Sequence, residues 1–150
     1  MEKNTYSSNL SLDEKVLMGI VRAAEIFKRS HSNIFGNFGL SFPQYNILRV
    51  LEGSENGQSR ISNVSKIMLV PNANMTGIAK RLEKNGFLIR KPDPSDERAT
   101  ILEITPKGRQ ALKNAEKEKD RWLEVTLDGF SQEEKRIMLD YIKRLISNEN

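Results

Sequence analysis

A mainly α (α+β) fold with one small antiparallel hairpin is expected for this chain, and three observations lead there. Apolar residues recur at steps of three and four over most of its length. Strand-like patterning is concentrated between Phe87 and Thr105. Cap residues, first-turn prolines and terminal glycines fall between the periodic segments, where helices should begin and end.

The first helix is expected over Leu12 to Phe35, with Val16, Ile20, Ala24, Phe27, Ile34 and Phe35 on one face and Gly36 and Gly39 ending it. Ser41-Phe42-Pro43-Gln44 has the form of a capping box with proline in the first turn. A short helix with Tyr45, Ile47, Leu48 and Leu51 inward follows, and the glycines in Glu52 to Gln58 mark a loop. Ser59 is placed to cap a helix over Arg60 to Leu69, with Ile61, Val64, Ile67 and Met68 as its apolar face. Val70-Pro71-Asn72 breaks the chain, and a further helix runs from about Ala73 to Lys84, burying Met75, Ile78, Ala79 and Leu82. Asn85-Gly86 stops it.

Two helices joined by so short a turn make a helix-turn-helix. The outward positions of the second are Asn72, Ala73, Asn74, Thr76, Gly77, Lys80, Arg81 and Lys84. They are short or polar first and basic later, which suits approach to base edges and then to phosphates. Phe87 to Arg90 reads as a strand, Lys91 to Glu97 as a polar loop, and Ala99 to Thr105 as a second strand. Strand, loop and strand after such a helix form a two-stranded wing, so the core is a winged helix-turn-helix.

Charge agrees with that reading. The net charge is only +4, yet seven basic residues (Arg60, Lys66, Lys80, Arg81, Lys84, Arg90, Lys91) lie between positions 60 and 91 against the single acid Glu83. A basic block inside the patterned core suggests a polyanion-facing surface, double-stranded DNA above all.

Thr105-Pro106 opens a long helix with Leu112, Ala115, Trp122 and Thr126 in its stripe, flanked by Leu123 and Phe130. Ser131 to Glu134 is a second capping box, before a helix carrying Ile137, Met138, Tyr141, Ile142, Leu145 and Ile146. These helices and the first lie outside the winged core, each with an apolar face to bury. Pairing them with a second copy predicts a homodimer of two-fold symmetry; packing back on the chain's own core is the alternative. The expected organisation is one domain over 1–150, with a DNA-binding lobe at 41–105 and dimerisation helices at 10–38 and 106–148.

The inventory for catalysis is thin. There is no cysteine and one histidine, His31, which excludes disulfides, thiol redox switching and a His/Cys metal cluster within one chain. Phosphate-cradling glycine loops and a nucleophile elbow are missing too. No enzyme and no cofactor are expected. The residues Met1 to Leu10 are polar, and no apolar run approaches the roughly 20 residues of a membrane helix, so the expected compartment is the cytoplasm, with no membrane partner.

Asp96-Glu97-Arg98 followed by the alternating run to Thr105, with Lys107-Gly108 just beyond, resembles the wing of the MarR family, and Arg81 to Leu88 resembles that family's exit from the recognition helix. The resemblance is sharp from about Ile61 to Gly108 and loose in the terminal helices. It implies a dimer whose two recognition helices enter successive major grooves. Asn72, Asn74, Thr76, Gly77 and Lys80 would then lie at the major groove, with Arg98 in the flanking minor groove and Asp96 helping to hold it. An arginine on a hairpin suits a narrow, negative minor groove. Gly77 departs from the long polar or basic residue often found there in the family. It either removes a base contact or lets the backbone approach more closely, and the sequence leaves both open.

The resemblance further implies a repressor released from a pseudo-palindromic operator by a small aromatic effector. The matching region draws on Phe27, His31, Phe38, Phe42, Tyr45, Arg49 and Trp122, where ordinary core packing is the plainer reading. A winged-helix protein-interaction module, without sequence-specific DNA binding, is the alternative function.

Overall fold

The structure, a computed structural model, describes residues 9–148; Met1 to Ser8, most of the polar stretch noted above, lie outside the described residues. Helix α1 spans Leu12–Gly36, α2 Phe42–Glu52, α3 Ile61–Met68, α4 Asn72–Lys84, α5 Pro106–Thr126 and α6 Gln132–Ser147. Strands β1 (Gln58–Arg60), β2 (Leu88–Asp93) and β3 (Asp96–Ile104) form one antiparallel sheet in the order β1-β3-β2.

Local chemistry fixes most helix starts. Ser41 and Gln44 exchange side-chain and backbone hydrogen bonds at the head of α2, and Ser131 and Glu134 do the same for α6, as their spacing requires. Ser11 and Glu14 form a third capping box that starts α1. Thr105 opens α5 and also closes the wing. Its hydroxyl donates to the Gly86 carbonyl at 2.6 Å and accepts from the Gly108 N–H at 3.1 Å, while the Lys107 ammonium donates to the Asn85 carbonyl at 2.8 Å. The exit of α4 and the exit of the wing are thus tied together.

Four expectations need correction. The wing belongs to a three-stranded sheet, because Gln58, Ser59 and Arg60 pair with Glu103, Leu102 and Ile101. Ser59 is consequently a strand residue, and α3 begins after Arg60 with no side-chain cap. The stretch 91–97 is mostly strand: β2 runs to Asp93, β3 starts at Asp96, and the register shifts between Pro92 and Asp93. Ile67 is 64% exposed, since Val64 and Ser65 take the inward positions of the short α3.

The core lies under the winged lobe. Phe35, Tyr45, Ile47, Leu48, Leu51, Val64, Met75, Ala79, Leu82, Leu88, Leu102 and Leu112 are buried together. Helix α4 therefore has one face fixed by Met75, Ala79 and Leu82, with Ile78 partly buried beside them, as its periodicity requires. The turn before it places Leu69 in the left-handed region at φ 53°, a conformation that costs a side-chain-bearing residue on the order of 1 kcal/mol. The outer helices differ: no residue of α6 is buried, and the first half of α1 leaves Val16, Leu17, Met18, Ile20 and Val21 exposed.

Candidate nucleic-acid interface

Helix α4 presents the surface that its sequence pattern marks out. Asn72, Ala73, Asn74, Lys80, Arg81 and Lys84 are exposed, and Thr76 and Gly77 are partly so. The residue before the helix, Pro71, offers no side-chain acceptor, so the N–H groups of the first turn are left uncapped. Those donors and the positive end of the helix dipole favour an anion at that end. Lys80, Arg81 and Lys84 form no ion pair among the described residues.

A groove of about 370 Å³ separates the start of α4 from the wing, and Ser62, Asn72, Thr76, Arg90, Arg98 and Thr100 line it. Two arginines thus face two helix N-termini, those of α3 and α4, across one cleft. Arg90 is held from behind: its backbone N–H donates to the Glu83 carboxylate at 3.1 Å, and its Nε lies 3.8 Å from the same carboxylate. That Nε is buried and has no hydrogen-bond partner.

Arg98 is exposed on β3. The expected support from Asp96 is present in a different form, because Asp96 accepts the Arg98 backbone N–H at 3.1 Å and forms no ion pair with its guanidinium. Arg60, grouped above with the DNA contacts, is engaged elsewhere. Its Nε donates to Asp93 at 2.5 Å and its Nη2 to the Ser95 hydroxyl at 3.1 Å. Asp93 also accepts from the Ser95 N–H at 2.8 Å and the Ser95 hydroxyl at 2.7 Å. The Ser95 backbone N–H and hydroxyl, with further help from Arg60, hold the Asp93 carboxyl below its ordinary value against the opposing effect of burial.

Sequence reasoning missed Asp93 and Ser95. The Pro-Asp-Pro-Ser stretch signalled a turn but not a buried carboxylate, whose cationic partner lies 33 residues earlier in the chain.

The aromatic side chains assemble only in part as expected. Trp122 meets Phe27 at 5.3 Å and His31 at 4.9 Å between ring centroids, and His31 also meets Phe42 at 5.6 Å. Phe35 joins the cluster and stacks on Tyr45 at 3.9 Å. The His31 Nδ1 lies 2.8 Å from the Phe27 carbonyl oxygen, which can only accept, so Nδ1 carries the hydrogen. Phe38 packs on the core outside these ring contacts. Arg49 points elsewhere, into a groove of about 410 Å³ between α2 and α3 lined also by Asn46, Val50, Ile67 and Met68.

The cation beside the aromatic cluster is instead Lys119, which sequence patterning gave no means to select. Its ammonium is largely buried, 3.1 Å from Asp120 and 3.3 Å from the Tyr45 hydroxyl. Burial works against its charge, yet Asp120 and Tyr45 outweigh burial and raise its pKa.

An amphipathic helix pair with a short turn, followed by a hairpin packed beside the second helix, defines a winged helix-turn-helix protein. Residues 40–100 match the model of the MarR family, and the match contains α3, α4, β2 and the outer part of β3. The chain is similar to the uncharacterized HTH-type transcriptional regulator YdgJ of Bacillus subtilis (strain 168), 33% identical over 59% of this chain and 54% of that one. The chain spans about half the length of the curated relatives it matches at this level of identity. Among solved structures it resembles Sco3205, a MarR family transcriptional regulator from Streptomyces coelicolor in complex with DNA. That match has a TM-score of 0.84 at 21% identity over 97% of this chain and 92% of that one. It also resembles the organohalide-sensing transcriptional regulator RdhR-CbdbA1625 in its 2,4-dichlorophenol-bound form, with a TM-score of 0.83 at 18% identity over 99% and 89%. At these identities the structural likeness carries the fold alone. The relatives are named as transcriptional regulators, not as enzymes.

Proposed function

We propose that this chain is a sequence-specific DNA-binding transcriptional regulator, a repressor that covers a pseudo-palindromic operator as a homodimer. The observation that carries the reading is the surface of α4 and the wing. The uncapped start of α4 and the exposed hairpin arginine line one groove, and the basic exit of the same helix is exposed. Asn72, Ala73, Asn74, Thr76 and Gly77 approach base edges, Lys80, Arg81, Lys84 and Arg90 approach phosphates, and Arg98 enters the minor groove. The DNA in the Sco3205 structure supports this assignment by likeness of fold.

In this reading the lobe over 41–105 reads DNA, and the helices over 10–38 and 106–148 pair with a second copy. The exposed apolar faces of α1 and α6 support the pairing. Two copies place two α4 helices one DNA turn apart, about 34 Å. The effector is a small aromatic molecule that enters beside Phe27, His31, Phe42, Tyr45 and Trp122, and Lys119 is its cationic neighbour. The 2,4-dichlorophenol-bound state of RdhR-CbdbA1625 supports that chemical class. Such a ligand acts only by binding the DNA-competent and incompetent dimers unequally. The rings fill the site in this structure, so entry requires them to part.

The test is binding of purified protein to its own upstream DNA against scrambled competitor near physiological salt. A complex of two copies per site is expected, at least about 10³-fold tighter than binding to scrambled DNA. Lys80→Gln should lower the slope of log affinity on log salt by about 0.9, one released counterion's worth. Affinity equal for operator candidates and scrambled DNA across a genome-wide selection would overturn the reading in favour of a protein-interaction module.

A further inference from the structure

We infer that Asp93 positions the wing for DNA, acting through Arg60 and Ser95, and that Arg60 is a positioning residue rather than a DNA contact. The inference rests on the DNA-binding reading above and concerns how the same surface is held in place.

The support given to β3 is uneven along its length. Strand β1 pairs with it only as far as Ile101. From Thr100 to the turn the wing is a two-stranded ribbon, and an isolated two-stranded ribbon is marginal in water. Arg98 lies in that outer section. The register shift between Pro92 and Asp93 falls there too, where the ladder itself holds least.

Asp93 supplies the polar tie that the ladder lacks. It is only 6% exposed, although Pro94, Ser95 and Asp96 beside it are exposed. A carboxylate so placed must be satisfied by donors, and here they come from both ends of the winged lobe. Ser95 supplies two from the turn, and Arg60 supplies one from the junction of β1 with α3. The second Arg60 donor goes to the Ser95 hydroxyl, which closes a ring of three side chains. The turn of the wing is thereby fixed to the start of the helix-turn-helix. The ring ties the outer wing that carries Arg98 to the junction from which α3 starts.

Electrostatics separates this role from a direct contact. A carboxylate near DNA repels phosphate, so Asp93→Asn on charge alone would strengthen binding. Loss of position predicts the reverse. It also predicts that the loss acts through Arg98, so the two substitutions should not multiply.

The experiment is a double-mutant cycle on operator affinity, read by fluorescence anisotropy at one salt concentration. Asp93→Asn should weaken binding about tenfold, close to Arg98→Ala, and the double variant should stay within about twofold of Arg98→Ala alone. Arg60→Gln should behave as Asp93→Asn does. Ser95→Ala, which removes one arm of the ring and leaves the ion pair, should weaken binding about threefold and lose that effect in the Arg98→Ala background. Minor-groove protection beside the operator should fade in these variants while major-groove protection persists. Unchanged or tighter binding by Asp93→Asn, with the wild type bound to operator, would overturn this inference alone. Effects of Asp93 or Arg60 that multiply with Arg98→Ala would also overturn it. A wild-type protein that cannot tell operator from scrambled DNA would remove the functional reading and this one with it.

Discussion

The winged lobe and the terminal helices obey the same sequence rules and reach opposite ends. Both have amphipathic helices, and each has a capping box, at Ser41 in the lobe and at Ser131 in α6. In the lobe, Met75, Ala79 and Leu82 of α4 are fully buried against Leu48, Leu51 and Val64. In α6 the equivalent stripe stays open: Ile142 is 46% exposed, Leu145 38% and Tyr141 63%. Patterning creates a face to bury, but it does not say where the covering surface comes from. The lobe finds it within the chain, and among the described residues α6 does not.

The strongest way to break that contrast is to charge the open face. Ile142→Asp with Leu145→Asp should convert a two-copy mass to a one-copy mass in analytical ultracentrifugation. Each side chain is already more than half covered within one copy, so covering the rest contributes roughly half of the 1.5–3 kcal/mol of full burial, and over the four in a two-fold pair the dimer dissociation constant should rise roughly 10²- to 10⁴-fold. Operator affinity should fall with it, while the fold of the lobe persists. An unchanged mass would mean that α6 is not the pairing surface, and the contrast between the regions would need another cause.

How much could be read in advance divides along the same line of locality. The capping boxes at Ser41 and Ser131 were legible because both partners lie within four residues, and the inward stripe of α4 was legible from its period. Strand β1 was not: it has three residues and its partner is β3, with Gln58 opposite Glu103. The stretch 91–97 reads as a polar loop between the two strands of the wing because Pro92, Pro94, Asp93 and Asp96 look like turn chemistry. The strands run into that stretch because Lys91, Pro92 and Asp93 pair with Ile101, Thr100 and Asp96, and Arg60, 33 residues upstream, binds Asp93 there. Arg49 and Lys119 show the same limit at the aromatic cluster. The family resemblance implies a cation, Arg49, beside the rings, and only packing decides that it is Lys119.

Acid should sharpen the comparison at two carboxylates that use the same device. Backbone and hydroxyl donors of Ser95 lower the pKa of Asp93, and those of Ser131 lower that of Glu134. Since both folded values are depressed, each contribution is complete above the group's ordinary value and is lost as the pH falls through its lower folded one. The α6 cap should therefore hold down to 4.5 and weaken below it, and the wing tie should hold down to 3.8. NMR shifts of the Ser131 and Ser95 amides against pH report the two separately. A Ser95 midpoint at or above 3.8 would contradict the depressed Asp93.

The smallest expected effect addresses Gly77, the one glycine inside α4. A β-carbon built there meets nothing within the chain closer than the Arg81 Nη1 at 4.0 Å. Nothing in the fold therefore requires glycine, and Gly77→Ala should raise stability by about 0.5–1 kcal/mol through helix propensity alone. The melting temperature should rise by a few degrees, about 2–4 °C for a chain of this size. Operator affinity decides how near the DNA this position lies, and an unchanged affinity would take Gly77 off the base edges. A tenfold loss of affinity with the same gain in stability would show that the α4 backbone lies directly against the base edges. The glycine would then be a feature of the DNA-binding surface, kept at a cost to the helix that bears it.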